Sequence, residues 1–260
     1  MTILAVVGDC TTTTCVALAA TWPIRDETIV IEADRRGGSL AGWLDTPASP
    51  SLTTVVSSVG SSPSTPMATI TAMAHRSASG LRFVAAPLRS LPARRAVEES
   101  ATAVVPALAR TATVAIADVG AEHHDSPFVR SAAIVVMVHR QASASAGAAA
   151  VRLERLIESI EHLAGSGLVL AVVGERPFDP PEIATHIETA VPGALLATME
   201  LAEDPLAAEV IAGRAGVSAR RLRRLPLMRS AAQVAAQLSA QLGSAGGSGV
   251  GARVHDGAGA

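Results

Sequence analysis

The chain contains no lysine, no asparagine and no tyrosine, and aromatic residues make up only 2% of it. Each absence removes chemistry. Without lysine there is no Schiff base and no lysine to hold a phosphate. Every strong cationic contact must therefore come from arginine, which supplies all 21 basic residues. Without asparagine there is no Asn ligand. A chain of 260 residues that is 49% hydrophobic can bury a sizeable core, and with so few aromatics that core must be aliphatic; alanine alone accounts for 52 residues. Cysteine is scarce too. Cys10 and Cys15 cannot form a disulfide framework in a chain this size. Their small neighbours suggest buried free thiols, and the nearest partners for a zinc site, His123 and His124, lie far off in sequence. The formal net charge of −2 excludes a generally basic nucleic-acid binder but leaves a local patch open. Long hydrophobic runs are missing: Ala132–Val138 and Leu168–Val173 are far shorter than the roughly 18 residues a membrane span needs. The start, MTILAVVGDC, has no basic segment and its apolar run is broken by Asp9. The expectation is a soluble, cytoplasmic protein.

What is present is alternation. Short apolar runs at Ile3–Val7, Ile29–Glu32, Leu81–Ala85, Thr113–Ala117, Ala133–Val138, Leu168–Val173 and Ala194–Ala197 are separated by longer helical patterns. Most of the runs are apolar on both faces, as central parallel strands covered by helices on both sides must be. The clearest helix spans about Ala146 to Ala164, where Leu153, Leu156, Ile157, Ile160, Leu163 and Ala164 form one apolar stripe opposite Glu154, Arg155, Glu158 and Glu161. Strand and helix alternating throughout predict one doubly wound α/β domain over residues 1–242, its sheet mostly parallel with helices on both faces. Residues 46–66, rich in Ser, Thr and Pro, predict a surface excursion around a short helix or turn, and the Gly/Ala/Ser-rich residues 243–260 predict a disordered tail.

Ligands of open α/β sheets bind at the carboxyl ends of the strands, so the turn after the first strand is the place to look. There Ile3–Val7 leads to Gly8, Asp9, Cys10, Thr11, Thr12, Thr13 and Thr14, and then to a helix that Pro23 stops. Amides at a helix start form an anion site to which threonine hydroxyls add hydrogen bonds and a magnesium ligand. The alternative is that the threonines cap the helix and nothing binds.

The second run ends in two acidic residues, Glu32 and Asp34, followed by Arg35, Arg36, Gly37, Gly38, Ser39 and Leu40. This segment resembles the second strand and following turn of the MinD/ParA-like P-loop ATPases, a D-x-D sequence before a glycine-containing turn, with Glu in place of the first Asp. Further segments fall in the family's order. Val114–Asp118 with Val119-Gly120 is similar to its Walker B strand and switch. Ser131–His139 and Gln141–Ala164 are similar to the next strand and helix, Leu168–Gly174 to the strand before the base-binding loop, and Arg229–Leu242 to the closing helix. The resemblance covers about residues 3–242. It implies a P-loop NTPase fold, ATP and magnesium as cofactors, and phosphate contacts from Gly8, Asp9, Cys10, Thr11, Thr12 and Thr13. It further implies magnesium ligation by Thr12 with Asp118, and metal or water positioning by Glu32, Asp34 and Asp118.

The chain also departs from that pattern. The family's loop reads K-G-G-x-G-K-[ST]-[ST]; here Thr11 stands at the catalytic lysine position, the loop is about four residues shorter, and Gly8 is its only glycine. Losing two charged hydrogen-bond donors costs roughly 3–6 kcal/mol, on the order of 10²–10⁴ in affinity. Such donors also carry much of the catalysis in phosphoryl transfer. Efficient ATP hydrolysis is therefore not expected. At the base site the chain has Gly174–Asp179 and no asparagine, leaving Arg176 or loop backbone to contact a base.

Arg214, Arg220, Arg221, Arg223, Arg224 and Arg229 form a basic cluster, five of the six within ten residues. Solvated or internally paired arginines, nucleic acid, and an acidic partner or lipid all remain open for it. The edge beside the first turn carries small residues together with Trp43 and Leu44, suited either to close packing of a protein partner or a second copy, or to the core. The resulting expectation is a degenerate, non-hydrolysing scaffold or regulator in division, partition or appendage and secretion-machinery positioning. The alternatives are an atypical ATP-dependent switch and a DNA-associated partition protein acting through the arginines.

Overall fold

The computed structural model describes residues 3–24, 28–62, 64–121, 125–141, 145–163, 165–174, 176–211 and 223–247. Eight strands form one sheet: β1 (Ile3–Gly8), β2 (Thr28–Glu32), β3 (His75–Arg76), β4 (Arg82–Val84), β5 (Val114–Gly120), β6 (Ile134–Arg140), β7 (Leu168–Val173) and β8 (Leu195–Leu201). Their order is β3-β4-β2-β5-β1-β6-β7-β8, and every pairing is parallel except β3 with β4. The helices are α1 (Thr11–Thr21), α2 (Leu40–Trp43), α3 (Leu52–Ser61), α4 (Pro66–Met73), α5 (Ser90–Glu99), α6 (Val104–Ala109), α7 (Pro127–Arg130), α8 (Ala146–Leu163), α9 (Pro180–Ala190), α10 (Pro205–Ile211) and α11 (Pro226–Gly247). This is the doubly wound arrangement the alternating pattern predicts.

The period of two along each strand sorts its residues between two aliphatic layers. Ile3, Ala5 and Val7 of β1 face the layer that holds α3 and α8, while Leu4 and Val6 face the layer that holds α1 and α11. In the same way β7 sends Leu168, Leu170 and Val172 to the first layer and Val169 and Ala171 to the second. Both faces are covered, so both must be apolar, and each fully buried Val, Leu or Ile contributes about 1.5–3 kcal/mol. Of the α8 stripe, Leu153, Leu156, Ile157, Ile160 and Leu163 all lie in the first layer as predicted, and Ala164 lies outside the described residues.

Three expectations need correction, and one open alternative is settled. Residues 46–66 hold the expected short helix, α3, but it is more than a surface excursion: Leu52, Val55, Val56 and Val59 lie in the core, at helical spacing. Its Ser and Thr residues occupy the outer face, which is why composition alone suggested a surface position. Cys15 is buried, but Cys10 is exposed. Leu44 is core, and Trp43 packs partly buried against the same layer. Finally, α11 continues to Gly247, into the segment expected to be a tail; residues 248–260 lie outside the described residues. Among the described residues no helix is long and apolar enough to cross a membrane.

Candidate functional site

β1 lies at the centre of the sheet between β5 and β6, so the turn after it opens at the middle of the carboxyl edge. The turn is very short: Asp9 and Cys10 alone connect Gly8 to the first residue of α1. Gly8 has φ +98°, and a Cβ there would stand 2.4 Å from the Val138 carbonyl oxygen, so only glycine fits. The Asp9 N–H donates to that same carbonyl at 2.9 Å, pinning the turn to β6. Cys10 then adopts a left-handed conformation, φ 50°, and caps α1 without a side-chain hydrogen bond. The threonines do not cap the helix either. Thr12 Oγ1 donates to Asp118 Oδ2 at 2.6 Å.

Asp118 sits in β5, opposite Val6 of β1 and Glu32 of β2. Its carboxyl is wholly buried, and Oδ1 has no hydrogen-bond partner. Burial raises its pKa above the ordinary Asp value, against the lowering effect of the Thr11 and Thr12 hydroxyls. Asp34 reaches the same strand edge at Gly120, two residues past Asp118 in β5. Gly120, φ +75°, admits the Asp34 carboxylate, whose Oδ2 would be 2.4 Å from a Cβ at that position. Asp34 is held by Arg36 through Nη2 at 2.8 Å and through the Arg36 backbone N–H at 2.8 Å.

Glu32 faces a different environment. Its Oε1 accepts the N–H groups of Ser39 at 2.6 Å and Leu40 at 2.8 Å, and its Oε2 accepts the N–H of Ala86 at 2.8 Å. Burial raises its pKa as well, with the three amides working against that rise. The carboxylate ties the end of β2 to the start of α2 and to the segment after β4. Gly38 has to be glycine here, since a Cβ would lie 2.4 Å from the Ala86 oxygen and 2.8 Å from Glu32 Oε2.

On the β6 side of the turn, Asp9 Oδ2 accepts the Arg140 N–H at 3.1 Å and Arg152 Nη2 at 3.2 Å. The Arg140 guanidinium pairs with Glu203. Beyond it opens a cleft of about 670 Å³, lined by Arg140, Arg176, Glu200, Glu203 and Ser230 among others. The expected base-binding loop borders this cleft. It is braced by Gln141, which donates Nε2 to the Gly174 and Phe178 carbonyls at 2.9 and 2.8 Å and accepts the Phe178 N–H at 3.0 Å.

The turn residues Gly8 to Thr12 and Asp118 thus come together, with Asp34 beside them, while Glu32 is turned toward backbone amides. Sequence reading missed Arg140, Gln141, Arg152 and Glu203. The rule used for the first strand, to examine the residues just past its carboxyl end, would have found Arg140 and Gln141 at the end of β6. Of the arginine cluster, Arg223, Arg224 and Arg229 are exposed, and Arg214, Arg220 and Arg221 lie outside the described residues. Among the described residues no group of three or more His, Cys, Asp or Glu side chains is placed to hold a metal ion.

No protein-family profile matches the chain, and no curated protein sequence does. Solved structures do match. A ParA family ATPase from Chlorobium tepidum superposes with a TM-score of 0.65 at 10% identity, over 90% of this chain and 98% of that one. The septum site-determining protein MinD from Pyrococcus horikoshii, solved with Mg-ADP, gives 0.60 at 13% identity over 94% and 98%. MinD in the Aquifex aeolicus MinC:MinD complex gives 0.58 at 15% identity over 92% and 96%. The chain has the MinD/ParA-like P-loop fold.

Proposed function

We propose that this protein is a nucleotide-independent scaffold or regulator built on the MinD/ParA fold, serving the positioning of a division, partition or appendage and secretion apparatus. The β1–α1 turn carries this reading. Two residues span the gap where the family has a lysine-bearing glycine loop, and the sequence has no lysine to place there. Three arginines beside the turn are already engaged by carboxylates: Arg36 is bonded to Asp34, Arg140 to Glu203 and Arg152 to Asp9. The residues present therefore do not fit a triphosphate, which needs unpaired donors around its charge. The neighbours include MinD bound to MinC, so a protein partner is the natural occupant of the remaining surface.

One observation favours a second reading, an atypical ATP-dependent switch. Asp118 Oδ1 is buried without a partner next to Thr12, the pair that the family resemblance assigns to magnesium. Calorimetric titration with Mg-ATP, together with a phosphate-release assay, separates the two readings. The scaffold reading expects affinity no better than high micromolar, no turnover, and a dimer or partner complex that forms equally with and without ATP. A sub-micromolar site, or a monomer that dimerises only on adding ATP, establishes the switch.

A further inference from the structure

The turn between β1 and α1 carries an anion of its own. Asp9 Oδ2 accepts two donors: the backbone N–H of Arg140 at 3.1 Å and Arg152 Nη2 at 3.2 Å. The same Nη2 donates to the Arg140 carbonyl at 3.0 Å, so the guanidinium is fixed in place and not merely nearby. A second carboxylate, Glu203, takes the Arg140 guanidinium. Asp9 directly precedes Cys10, the cap residue of α1, so its pair with Arg152 stands next to the amino end of that helix. A backbone amide, a guanidinium and a helix amino end are the donors that hold a phosphoryl oxygen in other proteins. Here a side chain of the turn itself takes the amide and the guanidinium.

We propose that Asp9 is the specificity-determining residue of this turn: its carboxylate engages Arg152 and the Arg140 amide from within and excludes phosphoryl anions from the edge they face. The proposal rests on the reading of the chain as nucleotide-independent and goes beyond it. Missing lysines weaken a phosphate site passively. A built-in carboxylate opposes one actively, because an incoming anion must displace it and then remain beside it. On this account Arg152 and the Arg140 amide are working anion donors that Asp9 alone occupies.

Binding of inorganic pyrophosphate, measured by calorimetry at low ionic strength on the full chain, tests this. The side chains of Asp9 and Arg152 are 44% and 37% exposed, so truncating them leaves the core untouched, and thermal melts verify that the variants fold. Asp9→Ala is expected to bind pyrophosphate at least tenfold more tightly than the wild type, a change of about 1.4 kcal/mol. Asp9→Asn, which retains an oxygen but loses the charge, gains less, though still measurably. Asp9→Ala with Arg152→Ala returns to the wild-type level. The proposal is overturned if folded Asp9→Ala and Asp9→Asn bind no better than the wild type. It is equally overturned if the double variant keeps the gain, since the helix amides alone would then be the receptor. The nucleotide-independent reading fails on a separate result, tight Mg-ATP binding or turnover by the wild-type chain.

Discussion

Glu32 and Asp118 stand side by side at the ends of neighbouring parallel strands, paired in register, both buried and both acidic. Their surroundings could hardly differ more. Glu32 has three backbone amides, distributed over both of its oxygens. Asp118 has the Thr12 hydroxyl on Oδ2 and no hydrogen-bond partner on Oδ1. A buried carboxylate with full backbone partners acts as a structural joint. One left half-satisfied costs stability, and a protein keeps such a group for a reason other than stability. Two residues that look equivalent in the sequence, each an acid ending an apolar run, therefore have different standing in the folded chain.

Substitution can break this contrast. Glu32→Ala should have the largest effect, a loss of about 3–5 kcal/mol, because three buried N–H groups lose their charged acceptor at once. Chemical denaturation would measure it, and a loss below about 1 kcal/mol would mean that the amides find water instead. Gly38→Ala attacks the same joint from outside. Its methyl would overlap the Ala86 oxygen and Glu32 Oε2, and a cost of about 2–4 kcal/mol is expected from the forced backbone shift.

Asp118→Asn should go the other way. It keeps an acceptor for Thr12 and removes a buried charge, so the melting temperature should rise by about 2–4 °C at neutral pH, as a gain of about 1 kcal/mol does in a domain of this size. The pH dependence follows from the direction of the shift. The folded-state pKa of Asp118 is raised, so the folded chain holds the proton more readily than the unfolded chain. Its stabilising contribution is complete below the unfolded value and is lost as pH rises through the folded value. The advantage of Asp118→Asn should therefore shrink as pH falls toward the ordinary carboxylate range, where the wild-type residue is neutral too. A constant advantage across pH would show that Asp118 does not titrate in that window. The smallest effect belongs to Arg152→Ala. The Asp9 pair is partly exposed, and such pairs contribute at most about 1 kcal/mol, so a melting shift of a few degrees at most is expected.

These contrasts also mark how far the sequence could be read. Parallel strands buried on both faces have a strong signature, so Ile3–Val7, Ala133–Val138 and Leu168–Val173 were visible with nearly their true bounds. The rule that ligands gather at carboxyl ends led to Gly8–Thr12 and Asp118. It could not separate Glu32 from Asp118, because the distinction depends on Ser39, Leu40 and Ala86 turning their amides inward. It could not find the contacts among Asp9, Arg140, Arg152 and Glu203 either. Those residues meet only because β1 lies beside β6, and β6 leads through β7 to β8, an order that periodicity does not encode. The short strand β3 was invisible at two residues, and the buried face of α3 was hidden by its Ser and Thr content.

The two cysteines of α1 and its cap have a practical consequence. Cys15 is enclosed in the core, and burial, with Asp118 and Glu32 nearby, drives its thiol well above the usual range, so it is inert to labelling. Cys10 is exposed at the mouth of the β1–α1 turn. Burial of part of the group raises its pKa as well, so mildly alkaline conditions favour its reaction. The native chain thus offers a single addressable thiol among the described residues, located where any anion, nucleotide or partner reaching this edge would pass. A solvatochromic dye attached there would report an arrival as a change in colour, with no engineered cysteine and whatever the chemical nature of the arriving molecule.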